Sequence, residues 1–233
     1  VLQDLEQQTH RRFLKHHLCQ PYLLSAQDLE KVCHLYIARD GRDVAWSFYN
    51  HHRYLTKDAC DKLNEFKGSS FPYFPDENLS IVEYFERWLK QDGYPWWPFW
   101  EHIRSWWAVR NNPRVKLVHF NNLKTNLSGE IGGIYEFIKQ YGVVKDDGDE
   151  QEIVAYATER ASFEYMKNQS DIVNPVPVAR WKGSADTFFH KGTNGRWKDI
   201  LPDELSRLYE ETAIRELGTE CAHWLATGEE IAK

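Results

Sequence analysis

Arg39 and Ser47 stand eight residues apart in the stretch KVCHLYIARDGRDVAWS, residues 31–47. A guanidinium offers a fork of donors, a hydroxyl adds a neutral one, and both would lie beside a helix start, whose free backbone N–H groups favour an anion. The pair suits a phosphate group. The same residues also allow a plain surface pairing of Arg39 with Asp40 or Asp43, and on this stretch alone the two readings stand level. A second group is Lys15-His16-His17-Leu18. Neutral imidazole is well matched to proton transfer near neutral pH, and a neighbouring lysine can stabilise developing negative charge. For an arbitrary pair of histidines, ordinary hydrogen-bonded side chains at a strand end are the commoner case. A zinc site from His16, His17 and Cys19 is disfavoured, because adjacent strand residues point to opposite faces. The third group is FFHKGTNGRWK, residues 188–198. Gly192 and Gly195 permit positive φ and close backbone approach, while His190, Lys191 and Arg196 surround them with donors. Such a loop can hold an anion on N–H groups and cations, although many ordinary turns share its composition.

The elements that must position these groups follow from periodicity and punctuation. Val32, Cys33, Leu35, Ile37 and Ala38 form a mostly apolar run that reads as a buried parallel strand. Asp40-Gly41 is turn and helix-start chemistry, and residues 43–54 carry helical spacing. Arg39 therefore sits at the carboxyl edge of a sheet, where open α/β folds bind ligands. VKLVHF, residues 115–120, predicts a second strand, and RRFLK, residues 11–15, a short one with Phe13 inward. Helical patterns cover 81–89, 99–109, 129–141, 150–161, 203–217 and 221–225, with a turn at 25–29 and a short helix within 162–170. Residues 60–79 read as a long loop, a lid over an apolar substrate or a self-packed surface excursion. The aromatic knot at 93–100 predicts mainly core packing. Tyr22, Phe71, Tyr73, Trp96 and Trp97 are the candidates for a pocket wall, with core packing the safer reading of the two Trp. Residues 171–186 are rich in Pro and Val and predict irregular chain. The acidic run 146–150 lacks the spacing of a calcium loop.

Composition sets the bounds. The 233 residues suffice for one α/β domain spanning 1–233, with a full core. A net charge of -6 argues against nucleic acid as a partner, while leaving room for a local basic pocket. Cys19, Cys33, Cys60 and Cys221 show no close pairing, which predicts free thiols in a reducing cytoplasm. No apolar run reaches membrane-spanning length, so no membrane partner is expected.

Taken together, LKHHL (14–18), IARDGRDVAWS (37–47) and FFHKGTNGRW (188–197), in that order, resemble the sulfotransferases that use 3′-phosphoadenosine 5′-phosphosulfate. HFNNLK and SFEYMK add to the likeness, which is nearest to bacterial relatives of the cytosolic aryl and alcohol enzymes. The resemblance implies a three-layer, P-loop-like α/β fold with a central parallel sheet flanked by helices. It implies that Arg39 and Ser47 bind the cofactor's 3′-phosphate, and that His17 is the catalytic base with Lys15 beside it. Phe163 would pack near the adenine, and Phe120 stands where relatives place a Tyr there. His190, Lys191 and Gly192 match an Arg-Lys-Gly segment that closes over the 3′-phosphate; His190 replaces its Arg, so Lys191 is expected to matter more. His16 and Cys19 depart from the usual Thr and Pro. The family's phosphosulfate loop, of the form P-K-S-G-T-T-W, is not found in these residues. The implied function is sulfuryl transfer to a hydroxyl of a small aromatic or apolar acceptor, without a metal. The alternative is a silent module that binds adenosine 3′,5′-bisphosphate (PAP). A P-loop kinase is disfavoured, because no G-x-x-x-x-G-K-[ST] occurs.

Overall fold

A computed structural model describes residues 7–9, 12–22, 31–65, 70–74, 76–144, 148–173 and 180–231. Strand β1 (His34–Ala38) pairs in parallel with β2 (Val115–His119), in a register that runs from His34 opposite Val115 to Ala38 opposite His119. Among the described residues this is a two-stranded sheet. β1 is not buried on both faces as its composition predicts. His34, Tyr36 and Ala38 turn inward, whereas Leu35 and Ile37 are 45% and 58% exposed. The run is apolar throughout, so its two-residue alternation is hidden in the sequence.

β1 hands over to α1 (Gly41–Tyr54) through Asp40, whose carboxylate accepts the Arg42 N–H at 2.8 Å. Gly41 is required here by space. A Cβ would stand 2.7 Å from the Tyr209 hydroxyl and 2.8 Å from the Phe99 ring, while the Gly41 N–H donates to Tyr209 Oη at 2.9 Å. Tyr209 belongs to α11 (Asp203–Leu217), so the first turn of α1 is bolted to a helix far away in sequence. Arg42, only 5% exposed, completes the joint. It donates to Asp40, Ser206 and Glu210, and its guanidinium lies 3.7 Å from the Trp197 ring centroid.

Helix α2 (Lys57–Asn64) corrects the expected long loop. Thr56 caps it by accepting the Ala59 N–H, and Ala59 and Cys60 are buried. Asn64 then exchanges two hydrogen bonds with the backbone of Phe71, which folds the following chain back onto α2. α3 (Ile81–Lys90) opens on a capping box formed by Ser80 and Glu83. It buries Tyr84, Phe85, Trp88 and Leu89 against Phe99, Trp100, Ile103 and Trp106 of α4 (Phe99–Ala108). Most of the aromatic surplus is therefore core, completed by Tyr209 and by Trp224 of α12 (Thr219–Thr227).

β2 ends one residue earlier than predicted. Phe120 is the first residue of α5 (Phe120–Thr125), because the His119 ring accepts the Asn121 N–H and starts the helix there. The chain continues as α6 (Leu127–Lys139), α7 (Glu150–Ala161), α8 (Phe163–Asn168), α9 (Ser170–Val173) and α10 (Ser184–Phe188). The last two overlap the ends of the stretch 171–186 expected to be irregular, of which 174–179 lies outside the described residues. Residues 12–19 form no strand, and Phe13 is 79% exposed. The expected turn at 25–29, together with Arg11, Asp146 and Asp147, lies outside the described residues. All four cysteines are free. Among the described residues no helix is long and apolar enough to cross a membrane.

Candidate active site

Two cavities meet at the carboxyl end of β1. The first, of about 240 Å³, is lined by Arg39, Ser47, Phe120, Phe163, His190 and Gly192, among others. The Arg39 guanidinium lies 4.4 Å from the Phe120 ring centroid, and donates from Nε to Asn194 Oδ1 at 3.0 Å and from Nη2 to the Thr193 carbonyl at 2.8 Å. Asp43 stands 3.7 Å from Arg39 and accepts the Gly195 N–H on its carboxylate at 3.0 Å. This buried acid pins the glycine loop to α1. Burial pushes its carboxyl up from the ordinary value, with the Gly195 N–H and Arg39 pulling it back. The sequence offered Asp43 only as a rival partner for Arg39; in the fold it does both jobs. Upstream of α10, Trp181 ties the chain to α1 by donating its indole N–H to the His51 carbonyl at 2.9 Å. Gly192 has φ +58°, and a Cβ there would come within 2.6 Å of the Phe163 ring. Lys191 is exposed and does not line the cavity.

The second cavity, of about 520 Å³, shares Arg39, Ser47 and Phe120 with the first and adds Lys15, His17 and Trp97. α4 organises this side. Trp106 Nε1 donates to the Leu18 carbonyl at 3.2 Å, and Ser105 Oγ accepts the Gln20 N–H at 3.2 Å. The His17 ring stacks on Trp97 at 4.6 Å between centroids and 14° between planes, whereas His16 lies over Trp106 at 6.2 Å. The two histidines therefore rest on different indoles. Partial burial, then the charges of Lys15 and His16, lower the pKa of His17, which keeps it neutral at pH 7. His102, read from the sequence only as part of the helical stretch 99–109, also lines this cavity. Its Nδ1 is 3.1 Å from the Tyr36 hydroxyl, and its Nε2 is buried without a protein partner.

Four of the five expected wall residues line neither cavity. Tyr22 is 68% exposed and donates its hydroxyl to Glu101. Tyr73, 49% exposed, hydrogen-bonds Asp61 of α2. Phe71 and Trp96 pack on each other at 5.0 Å. The fold-back of the chain after α2 takes Phe71 and Tyr73 away from the cavities, Trp96 packs with Phe71, and Tyr22 is held by Glu101; of the five only Trp97 stays at the wall. Among the described residues no cluster of three metal-ligating side chains occurs.

Burial holds His51 and His102 down to about 4, with His190 and Lys15 facing the first and His17 and His16 facing the second. The folded chain thus binds fewer protons than the unfolded chain between pH 6.5 and about 4. Stability is full above pH 6.5 and falls as the pH drops through that window, by roughly 1 kcal/mol per pH unit for each group. Urea midpoints at pH 7.0 and 4.5 measure this: a clear fall is expected, and equal midpoints would contradict it.

The family described as sulfotransferase domain matches residues 1–219. Mouse sulfotransferase 1E1 is 26% identical over 212 residues, covering 90% of this chain and 63% of its own length. The human 1E1 protein is 27% identical over 216 residues, covering 90% and 65%, and rat sulfotransferase 1A1 is 29% identical over 206 residues, covering 86% and 60%. The chain thus spans less than two thirds of these curated relatives. Among solved structures, retinol dehydratase in complex with androsterone and inactive cofactor PAP superposes with a TM-score of 0.69 at 24% identity, covering 92% of this chain and 56% of that one. Mouse sulfotransferase SULT7A1 complexed with PAP gives 0.68 at 21% identity, covering 96% and 72%. The structures share the α/β fold, and the family match runs over nearly all of the sequence, from before His17 to beyond the glycine loop. On that match this chain belongs to the sulfotransferase domain family.

Proposed function

We propose that this protein transfers the sulfuryl group of 3′-phosphoadenosine 5′-phosphosulfate to the hydroxyl of a small aromatic or apolar acceptor. The observation that carries the reading is the junction of the two cavities at Arg39, Ser47 and Phe120, with His17 on the far side. On the nucleotide side, Arg39 and Ser47 hold the 3′-phosphate, and the Phe120 and Phe163 rings flank the base. On the other side, Phe48, Trp97 and Trp106 offer flat apolar walls to the acceptor. Two solved neighbours fit such a ligand, being described with androsterone and with retinol.

His17, neutral at pH 7, takes the proton of the acceptor hydroxyl as its oxygen turns on sulfur. The phosphosulfate supplies the sulfuryl group: the new O–S bond forms while the bond from sulfur to the bridging phosphate oxygen breaks, leaving the bisphosphate nucleotide. Lys15, at the rim of the same cavity, stabilises charge gathering on the transferring group. Transfer of radiolabel from the phosphosulfate to a panel of phenols and alcohols by the full-length protein tests this. Labelling of at least one apolar hydroxyl is expected. Tight nucleotide binding with no labelled product from any acceptor would leave a silent PAP-binding module instead.

Gly192 gives a separate check. Alanine there would combine a left-handed backbone with a methyl driven into Phe163. Gly192→Ala is expected to weaken PAP binding about tenfold, the equivalent of ~1.4 kcal/mol, in a calorimetric titration. An unchanged affinity would remove Phe163 and the loop from the nucleotide site.

A further inference from the structure

We infer that Arg196 is the second phosphate-binding cation of the first cavity, replacing the arginine that His190 displaces and taking the part expected of Lys191. The inference rests on the nucleotide reading above and adds a residue to it. Arg196 lines the cavity beside Arg39, Ser47 and Gly192, whereas Lys191, five residues earlier, is exposed and lines no part of it.

Three contacts aim the Arg196 guanidinium. Its Nη1 donates to His190 Nδ1 at 3.2 Å. Its Cζ lies 5.1 Å from the ring centroid of Trp46, which is itself 7% exposed and directly precedes Ser47. Its backbone follows Gly195, whose N–H is held by Asp43. A guanidinium resting on a buried indole loses little freedom when it grips an anion. The bond to His190 also settles that ring's role. An arginine can only donate, so Nδ1 must accept and His190 must be neutral, presenting Nε2–H as a neutral donor. Burial and the charges of Arg196, Lys191 and Lys167 lower its pKa, in keeping with that state. His190 then supplies a hydrogen bond, and the charge comes from Arg196. Arg39 alone would be short of donors for a doubly charged phosphate, since it already serves Thr193 and Asn194. Of the carboxylates near the loop, Asp40 is engaged by Arg42, leaving Asp43 against two guanidinium groups. The cavity keeps a net positive charge in an acidic protein.

The test is calorimetric titration of the full-length chain with adenosine 3′,5′-bisphosphate and with adenosine 5′-monophosphate, which lacks the 3′-phosphate. Arg196→Ala is expected to lose about 10- to 30-fold in affinity for the bisphosphate, and Lys191→Ala less than about threefold. Binding of the monophosphate should stay within about twofold in both, which also shows that the pocket is intact. The double variant His190→Arg/Arg196→Ala should recover most of the loss, because it returns a guanidinium to the neighbouring position. Three results would overturn the inference while the wild type still prefers the bisphosphate: an unaffected Arg196→Ala, an equal loss for both nucleotides, or a larger loss in Lys191→Ala. A wild type that makes no distinction between the two nucleotides would instead sink the nucleotide reading itself.

Discussion

Replacing His17 with alanine should lower sulfuryl transfer by about 10²- to 10⁴-fold while leaving PAP affinity unchanged. The split is expected because His17 lies across the Arg39–Ser47–Phe120 junction from the first cavity, the proposed nucleotide site, and lines only the second. Neighbouring imidazoles cannot stand in for it. His16 sits over Trp106 and accepts the Leu18 N–H at 3.3 Å, and His102, bonded through Nδ1 to the Tyr36 hydroxyl, is held by burial down to about 4, a weaker base. The pH profile carries the same signature. Since burial, Lys15 and His16 lower the pKa of His17, its neutral form persists below pH 6.5. The acidic limb of kcat/KM should therefore lie below 6.5, with the rate lost as the pH falls through the lowered value and absent from the residual rate of His17→Ala. A variant that keeps wild-type transfer, or that loses nucleotide affinity along with it, would remove His17 from the role of base.

The largest effect on stability should come from Arg42. In Arg42→Met the Asp40 carboxylate, 6% exposed, keeps its place but loses the guanidinium that contacts it at 2.7 Å. Glu210 and Ser206 lose a donor, and Trp197 loses the cation lying on its face. Breaking one side of such a buried pair costs about 3–5 kcal/mol. Arg42→Lys should recover less than half of that, because an ammonium cannot span Asp40, Ser206 and Glu210 from one planar fork. Denaturant unfolding of the two variants measures both numbers, and a cost below about 1 kcal/mol for Arg42→Met would contradict the buried-pair description.

How far these features could be read from sequence depends on whether the deciding interaction is local. The strand-to-helix step at Arg39 was legible because Asp40 caps through its own near neighbour, Arg42. The same holds for the glycine at 192, where a positive φ announces itself in composition. The open face of β1 was not, since Leu35 and Ile37 look like core residues and only the packing tells that they are exposed. Helix α2 was missed because KDACDKLN buries little beyond Ala59 and Cys60, too short a stripe to show a period. With it went the expected lid: two hydrogen bonds between Asn64 and Phe71 decide where that chain goes. The choice between Lys191 and Arg196 lay out of reach for a similar reason. Which basic residue of HKGTNGR faces the cavity is set by Trp46 and Asp43, both far off in sequence.

The direct measurement is a crystal structure of the full-length protein with PAP and a phenol bound together. The expected result is a single continuous site: the 3′-phosphate within about 3 Å of donors from Arg39 and Ser47, and the phenol hydroxyl within about 3 Å of the His17 ring. A nucleotide seated away from Arg39, or a phenol that binds without approaching His17, would contradict it.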